Sequence, residues 1–184
     1  MVNDNKGEWF ELYNPNGPSV DINGWELRDN STNTHIIDNG GPLIVPDGGY
    51  LVLGNNGDIN TNGGVPVDYA YPNNHFMLHN AEDELILIKT VDGTVCANMP
   101  YNDVTFPNTT GYSMNLISPE LDISVGANWC ESATTYGDGD HGTPGQPNTH
   151  CIGSPTAAPS SSPSTSPTSA PSSSPSAIPT AAPT

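Results

Sequence analysis

The sequence predicts an all-β sandwich built from short strands. Three observations predict it. Aromatic and aliphatic residues come in short bursts bounded by polar clusters. Turn signals recur at close intervals: Asn16-Gly17, Asn23-Gly24, Asn39-Gly40-Gly41, Asp47-Gly48-Gly49, Asn56-Gly57 and Asp92-Gly93. No window of eleven or more residues holds the apolar period of a helix.

The elements follow in order. Trp9–Tyr13 is the first strand-like run, closed by the turn Asn14-Pro15-Asn16-Gly17. Trp25–Arg28 follows Asn23-Gly24, and His35–Ile37 follows a polar loop. Tyr50–Leu53 emerges from Asp47-Gly48-Gly49. Phe76–Leu78 reads as a further short strand. Glu84–Lys89 contains Leu85-Ile86-Leu87-Ile88, apolar on both faces, which predicts a central strand. Val91-Asp92-Gly93-Thr94 then makes a tight hairpin into Thr94–Ala97. Tyr112–Leu116 is the last predicted strand. Many short strands at this turn density suggest an immunoglobulin-like sandwich.

Two regions divide the 184 residues. Residues 1–153 carry every charge and every aromatic side chain, and are long enough for one domain with a real core. Residues 154–184 carry Pro155, Pro159, Pro163, Pro167, Pro171, Pro175, Pro179 and Pro183 at every fourth position, spaced by Ser, Thr and Ala. Such a composition cannot bury enough apolar surface to fold, and reads as a disordered, O-glycosylated stalk or linker. A PxxP ligand for an SH3 domain is the sharper alternative, but no basic residue flanks the repeat.

Twenty acidic residues stand against Lys6, Arg28 and Lys89, for a net charge of −17. That balance repels phosphate backbones, so no nucleic-acid partner is expected. It also disfavours anionic membrane surfaces. It favours cations, basic partners or plain solubility. No stretch approaches the about 20 apolar residues a membrane span needs. Met1–Gly7 is hydrophilic and has no apolar core of a signal peptide.

Of the three cysteines, Cys130 and Cys151 bracket the Gly/Pro-rich end of the domain. A disulfide there would pin a segment with little core of its own, contributing about 3 kcal/mol. Cys96 is left as a buried thiol or one that pairs outside the chain. The absence of any CxxC pair argues against zinc.

The blocks Glu8-Trp9-Phe10-Glu11-Leu12-Tyr13-Asn14-Pro15, Val20-Asp21-Ile22-Asn23-Gly24-Trp25-Glu26-Leu27, Ile44-Val45-Pro46-Asp47-Gly48-Gly49-Tyr50-Leu51-Val52-Leu53, Ala127-Asn128-Trp129-Cys130 and Gly142-Thr143-Pro144-Gly145-Gln146-Pro147-Asn148 occur in one order. In that order they resemble a lamin tail domain of the secreted microbial type, over about residues 7–148. The resemblance implies the same immunoglobulin-like fold, and an interaction or anchoring module often attached to secreted hydrolases. It also implies an apolar strand ahead of Trp9–Tyr13. Only Met1–Lys6 precede Gly7 here, which suggests a fragment and would account for the absent signal peptide.

Candidate chemistry is sparse. Asp58-Ile59-Asn60-Thr61-Asn62-Gly63 places oxygen ligands at alternate positions before a Gly, as the first half of a calcium loop does. Its twelfth position is Tyr69, beside Asp68, and no helices flank it, so an EF-hand is excluded. Asp138 and Asp140 on Tyr136-Gly137-Asp138-Gly139-Asp140-His141-Gly142 are a second Ca²⁺ candidate, or a purely structural turn. Glu8 and Glu11 invite a carboxylate-pair reading. An offset of three in a strand puts them on opposite faces, so surface charges are the expectation. His75 and His79, on an extended segment, would stand about 13 Å apart, too far to share a metal. Trp9, Trp25 and Trp129 read as core or edge-of-core residues, with a sugar-stacking platform as the functional alternative. Asn30-Ser31-Thr32 and Asn108-Thr109-Thr110 are N-glycosylation acceptors.

The reading that follows is a non-catalytic extracellular or cell-surface module, carried on a Pro-rich stalk and binding protein or glycan. The alternative is the accessory domain of a larger secreted hydrolase. A nuclear lamin role is disfavoured, since no coiled-coil heptads or basic cluster occur.

Overall fold

The structure is a computed structural model that describes residues 4–149 and 151. They all fall in one compact unit, Met1–Ser154. The Pro-rich stretch expected to be a stalk lies outside the described residues.

Among the described residues, one helical turn, α1 (Asp4–Gly7), leads into thirteen strands: β1 (Trp9–Tyr13), β2 (Val20–Asp21), β3 (Glu26–Arg28), β4 (Thr34–Ile36), β5 (Ile44–Val45), β6 (Tyr50–Gly54), β7 (Tyr69–Ala70), β8 (Glu82–Lys89), β9 (Thr94–Asn102), β10 (Met114–Leu116), β11 (Trp129–Glu131), β12 (Thr135–Tyr136) and β13 (Asp140–His141). One sheet runs β4-β3-β8-β9 and is antiparallel throughout. A second runs β1-β6-β7, antiparallel then parallel, and β2–β5, β10–β11 and β12–β13 form separate two-stranded pairs. This is the immunoglobulin-like sandwich that the strand and turn pattern predicts.

The two sheets share one core. Leu27, Leu85 and Leu87 face inward from the first sheet, and Leu51, Leu53 and Tyr69 from the second. Leu27 pairs across to Leu87, and Leu87 to Ala97, so one sheet face supplies a continuous apolar row. Leu85, Ile86, Leu87 and Ile88 are all buried, as a central strand requires. The turn between β8 and β9 closes on Gly93 at φ 73°, where its amide donates to the Lys89 carbonyl.

Phe76–Leu78 is not a strand. Pro72 starts a turn there, its carbonyl accepting the amides of His75 and Phe76. Phe76 nonetheless has no exposed surface. It enters the core from a loop and meets Phe10 and Tyr71 edge-on, at centroid distances of 6.3 and 5.3 Å. Strand formation loses because the turn already engages the backbone while the aromatic ring alone secures the burial.

The sheets end differently at their edges. Along β8–β9, Leu87 pairs with Ala97 but Ile88 with Val95, so Cys96 is the extra residue of a β-bulge. Pro100 lies opposite Glu84 on the same strand. Proline has no N–H, so its position turns outward from the ladder and removes a donor from the edge. β9 is therefore blunted twice. Cys96 is exposed and unbridged, which removes the buried-thiol alternative.

Beyond β9 the chain folds back over the second sheet. β10 pairs with β11, and β12 with β13. The Cys130–Cys151 disulfide is present, with Cα atoms 5.5 Å apart.

Candidate functional site

The β1–β6 ladder sets the geometry of the site. Its register runs without a shift from Trp9↔Gly54 to Tyr13↔Tyr50. Alternation then assigns the faces. Phe10 and Leu12 pack on the common core. Trp9, Glu11 and Val52 turn to the other face, and the C-terminal segment covers them. The Trp9 indole N–H donates to the Tyr136 hydroxyl at 3.1 Å, with the rings edge-to-face. The Gly145 amide donates to Glu11 Oε2 at 2.9 Å. A Cβ on Gly142 would sit 2.9 Å from the Tyr136 ring and 3.1 Å from that of Trp9, so only glycine lets the segment lie this close.

That closing segment is itself tied down. His141 bonds to Gly111 and Ser113 through the backbone and stacks on Tyr112 at 4.1 Å. Gly142 donates to the Thr134 carbonyl, and the Asn148 side chain to that of Leu116. The disulfide lies beyond these contacts at residue 151.

Glu8 and Glu11 are not surface charges. Both are half-buried, one on each side of β1. Glu8 Oε1 accepts the Tyr71 hydroxyl at 2.8 Å. Burial pushes the Glu11 carboxyl up to about 7, against a smaller opposing effect of the Gly145 amide. The opposite-face placement holds, but the faces it leads to are covered.

The two calcium candidates come together, though through backbone. A Cβ on Gly137 would strike the Gly63 carbonyl, and the Asp138 amide donates to that oxygen at 3.3 Å. Their side-chain oxygens are engaged elsewhere. Asp58 accepts from the Asn60 amide and side chain and from the Thr61 hydroxyl, which holds its carboxyl below the usual range. Asn60 is exposed. Asn62 is buried, its Oδ1 accepting the amides of Gly64 and Val65 and its Nδ2 donating to the carbonyls of Asn56 and Val65. Asp68 accepts the Val52 amide at 2.8 Å and so braces β6. Asp138 is exposed and Asp140 buried in β13. Among the described residues no three His, Cys, Asp or Glu side chains converge as a metal set.

The remaining candidates are placed as follows. Asn30 is exposed beside β3, in a turn organised by Asp29. Burial works to raise the Asp29 carboxyl, but the hydrogen bonds from Ser31 and Asn33 outweigh it and hold it below its ordinary value. Asn108 is exposed, and its amide donates to the Asp103 carbonyl. Trp9, Trp25 and Trp129 are half-buried; the Trp129 indole donates to Ile123. His75 lies against His35 rather than His79, with ring centroids 5.9 Å apart. Their distance in sequence hides that pairing.

Glu11 yields a prediction. A carboxyl at about 7 folded and near 4.5 unfolded binds more protons folded than unfolded between those values. Its contribution is therefore fullest below about pH 4.5 and is lost as pH rises through 7. After allowance for its partial exposure the loss is about 1–3 kcal/mol. Glu11→Gln keeps an acceptor for Gly145, and should be the more stable protein at pH 8 by about 1–2 kcal/mol. Urea melts of both proteins from pH 4 to 8 should converge toward low pH. Parallel curves would remove Glu11 from the account.

No curated protein and no solved structure matches the chain. A family profile, Lamin Tail Domain, matches residues 1–103. The match ends just past β9, so the segment that covers Trp9 and Glu11 lies beyond it. With more than half its length matched, and with the fold described above, the chain belongs to the lamin tail domain family.

Proposed function

We propose that this chain is a non-catalytic interaction and anchoring module that works outside the cell, carried on residues 154–184 as a stalk. One observation carries the non-catalytic part. The half-buried carboxylates that a hydrolytic pair would use accept structural hydrogen bonds on opposite faces of one strand, Glu8 from Tyr71 and Glu11 from Gly145. Family membership supports a binding role, since lamin tail domains are immunoglobulin-like modules of the binding type.

The extracellular part rests on three supports. The Cys130–Cys151 disulfide suits an oxidising compartment. Asn30 and Asn108 stand exposed within their acceptor triplets. The Pro/Ser/Thr composition of the tail suits a glycosylated spacer. The partner class is protein or glycan, since 20 acidic residues against three basic ones repel nucleic acid.

The full chain should bind saturably to at least one member of a panel of immobilised polysaccharides and basic proteins, and should turn over no chromogenic glycoside, ester or peptide. Turnover that follows the protein through purification and disappears in Glu8→Gln or Glu11→Gln would overturn the proposal. Calcium stabilisation has for support the meeting of the 58–63 and 136–140 loops. Melting curves in excess Ca²⁺ and in chelator test it: a binder of the folded state must raise Tm in Ca²⁺ by mass action. Coincident curves leave Asp58, Asp138 and their neighbours as hydrogen-bonded turns.

A further inference from the structure

We propose that His35, Tyr69 and His75 form a proton-operated clasp, which holds the β4–β7 side of the sandwich shut near neutral pH and lets that side loosen in mild acid. The inference goes beyond the interaction-module reading and does not depend on it.

The clasp joins the two sheets at short strands. β4 ends one sheet and β7 ends the other. They have three and two residues, so few ladder bonds hold either in place. His35 stands on β4 opposite Leu27, and so shares its core-facing side. Tyr69 opens β7 and pairs with Leu53. Both side chains are buried. Their bond, 2.7 Å from His35 Nε2 to the Tyr69 hydroxyl, crosses from sheet to sheet. The rings stack at a centroid distance of 5.8 Å. From the loop after β4, the Asp38 amide donates to the same hydroxyl at 3.1 Å.

The Tyr69 hydroxyl fixes where the proton sits. Its oxygen accepts from Asp38, and its single hydrogen needs an acceptor. Among the described residues His35 Nε2 is the one acceptor within reach. Nε2 therefore carries a lone pair, and the imidazole is neutral. Protonation puts a hydrogen on Nε2, and the hydroxyl hydrogen then loses its buried partner. It also places a charge between Leu27, the Tyr69 ring and a second imidazole, that of His75, whose centroid lies 5.9 Å away.

No neighbour compensates that charge. β3 presents Leu27, β7 presents Tyr69, and the Pro72 turn presents His75. The Asp38 carboxylate is exposed and accepts the Gly40 amide. Among the described residues no carboxylate pairs with either imidazole. Burial first, and His75 second, hold His35 below its ordinary 6.5. As pH falls through 6.5 the unfolded chain therefore binds more protons than the folded one. The stability that the clasp contributes is present above that value and is lost below it.

What the clasp holds is a short segment. After β7 the Tyr71 amide donates to Gly54, and the Pro72 carbonyl accepts from His75 and Phe76. That turn delivers Phe76 to the core beside Tyr71. Release loosens residues 69–76 and uncovers these two rings, while β3 and β8 keep their ladder.

Backbone amide exchange of the full chain at about pH 7.5 and about pH 5.5, corrected for the intrinsic pH dependence of exchange, tests the clasp. Protection of Asp38 and Tyr71 should fall severalfold in acid, while that of Ile86 in β8 holds. Glu11 acts with the opposite sign over this range, so such a loss cannot come from it. His35→Gln keeps an acceptor for the Tyr69 hydroxyl and cannot take a charge, so its protection should match at the two pH values. If that variant fails to fold, His75→Gln on the exposed turn decides. The His35 ring, followed by NMR, should then titrate at higher pH, and the loss of protection should move with it. Unchanged protection at Asp38 and Tyr71 overturns the proposal, as does a loss that persists in His35→Gln or a His35 midpoint that His75→Gln leaves in place. A uniform loss that includes Ile86 overturns it too, because the event would then be global unfolding.

Discussion

The β1–β6 ladder is the constraint on which the rest depends. Five paired residues fix, by the two-residue period of a strand, where every side chain and every backbone group of β1 points. Phe10 and Leu12 go to the shared core. Trp9 and Glu11 go beneath the closing segment. One set of backbone groups joins β6, and the other faces outward. A slip of one residue would exchange the two faces, placing Glu11 against Tyr71 and Phe76 and turning Phe10 toward Gly145. The aromatic cluster on one side and the glycine contacts on the other both oppose that slip.

The closing segment explains why a second layer is needed at all. Val52 has no exposed surface, yet it lies outside the core shared by the two sheets. What shields it includes Gly145, whose added Cβ would stand 3.7 Å from its methyl group. A segment this rich in Gly and Pro has little apolar surface to hold it in place. The disulfide offsets that deficit by restricting the unfolded chain, a contribution of about 3 kcal/mol. Burial of the Glu11 carboxylate works in the opposite direction above neutral pH. The cover over β1 is thus a balance between a covalent staple and an acid that prefers to hold its proton.

Much of this was legible in the sequence. The short strand-like run Trp9–Tyr13 before its Asn-Pro-Asn-Gly turn, the apolar run Leu85–Ile88 and the Asp92-Gly93 turn are local signals, and each led to the observed element. The Cys130–Cys151 bridge followed from where those residues bracket a weakly apolar stretch. Other features depend on contacts far apart in the chain. Glu11 looks like a surface residue until Gly145, 134 positions away, lies over it. Phe76 looks like part of a strand because its burial is visible and the Pro72 turn is not. β2, β5 and β7 are two residues each, too short for any period to register. The oxygens of Asp58 and Asn62 match a calcium spacing, but the same residue types make Asx turns, and only geometry separates the two.

The central claim is that β1 is bonded to β6 along one edge and, among the described residues, pairs with no strand along the other. Native-state hydrogen exchange of the full chain reads this residue by residue. The account predicts alternation: slow exchange for Phe10, Leu12 and Asn14, whose amides join β6, and faster exchange for Trp9, Glu11 and Tyr13. Uniform protection along Trp9–Asn14 would contradict it, because a strand or loop would then already occupy the outer edge.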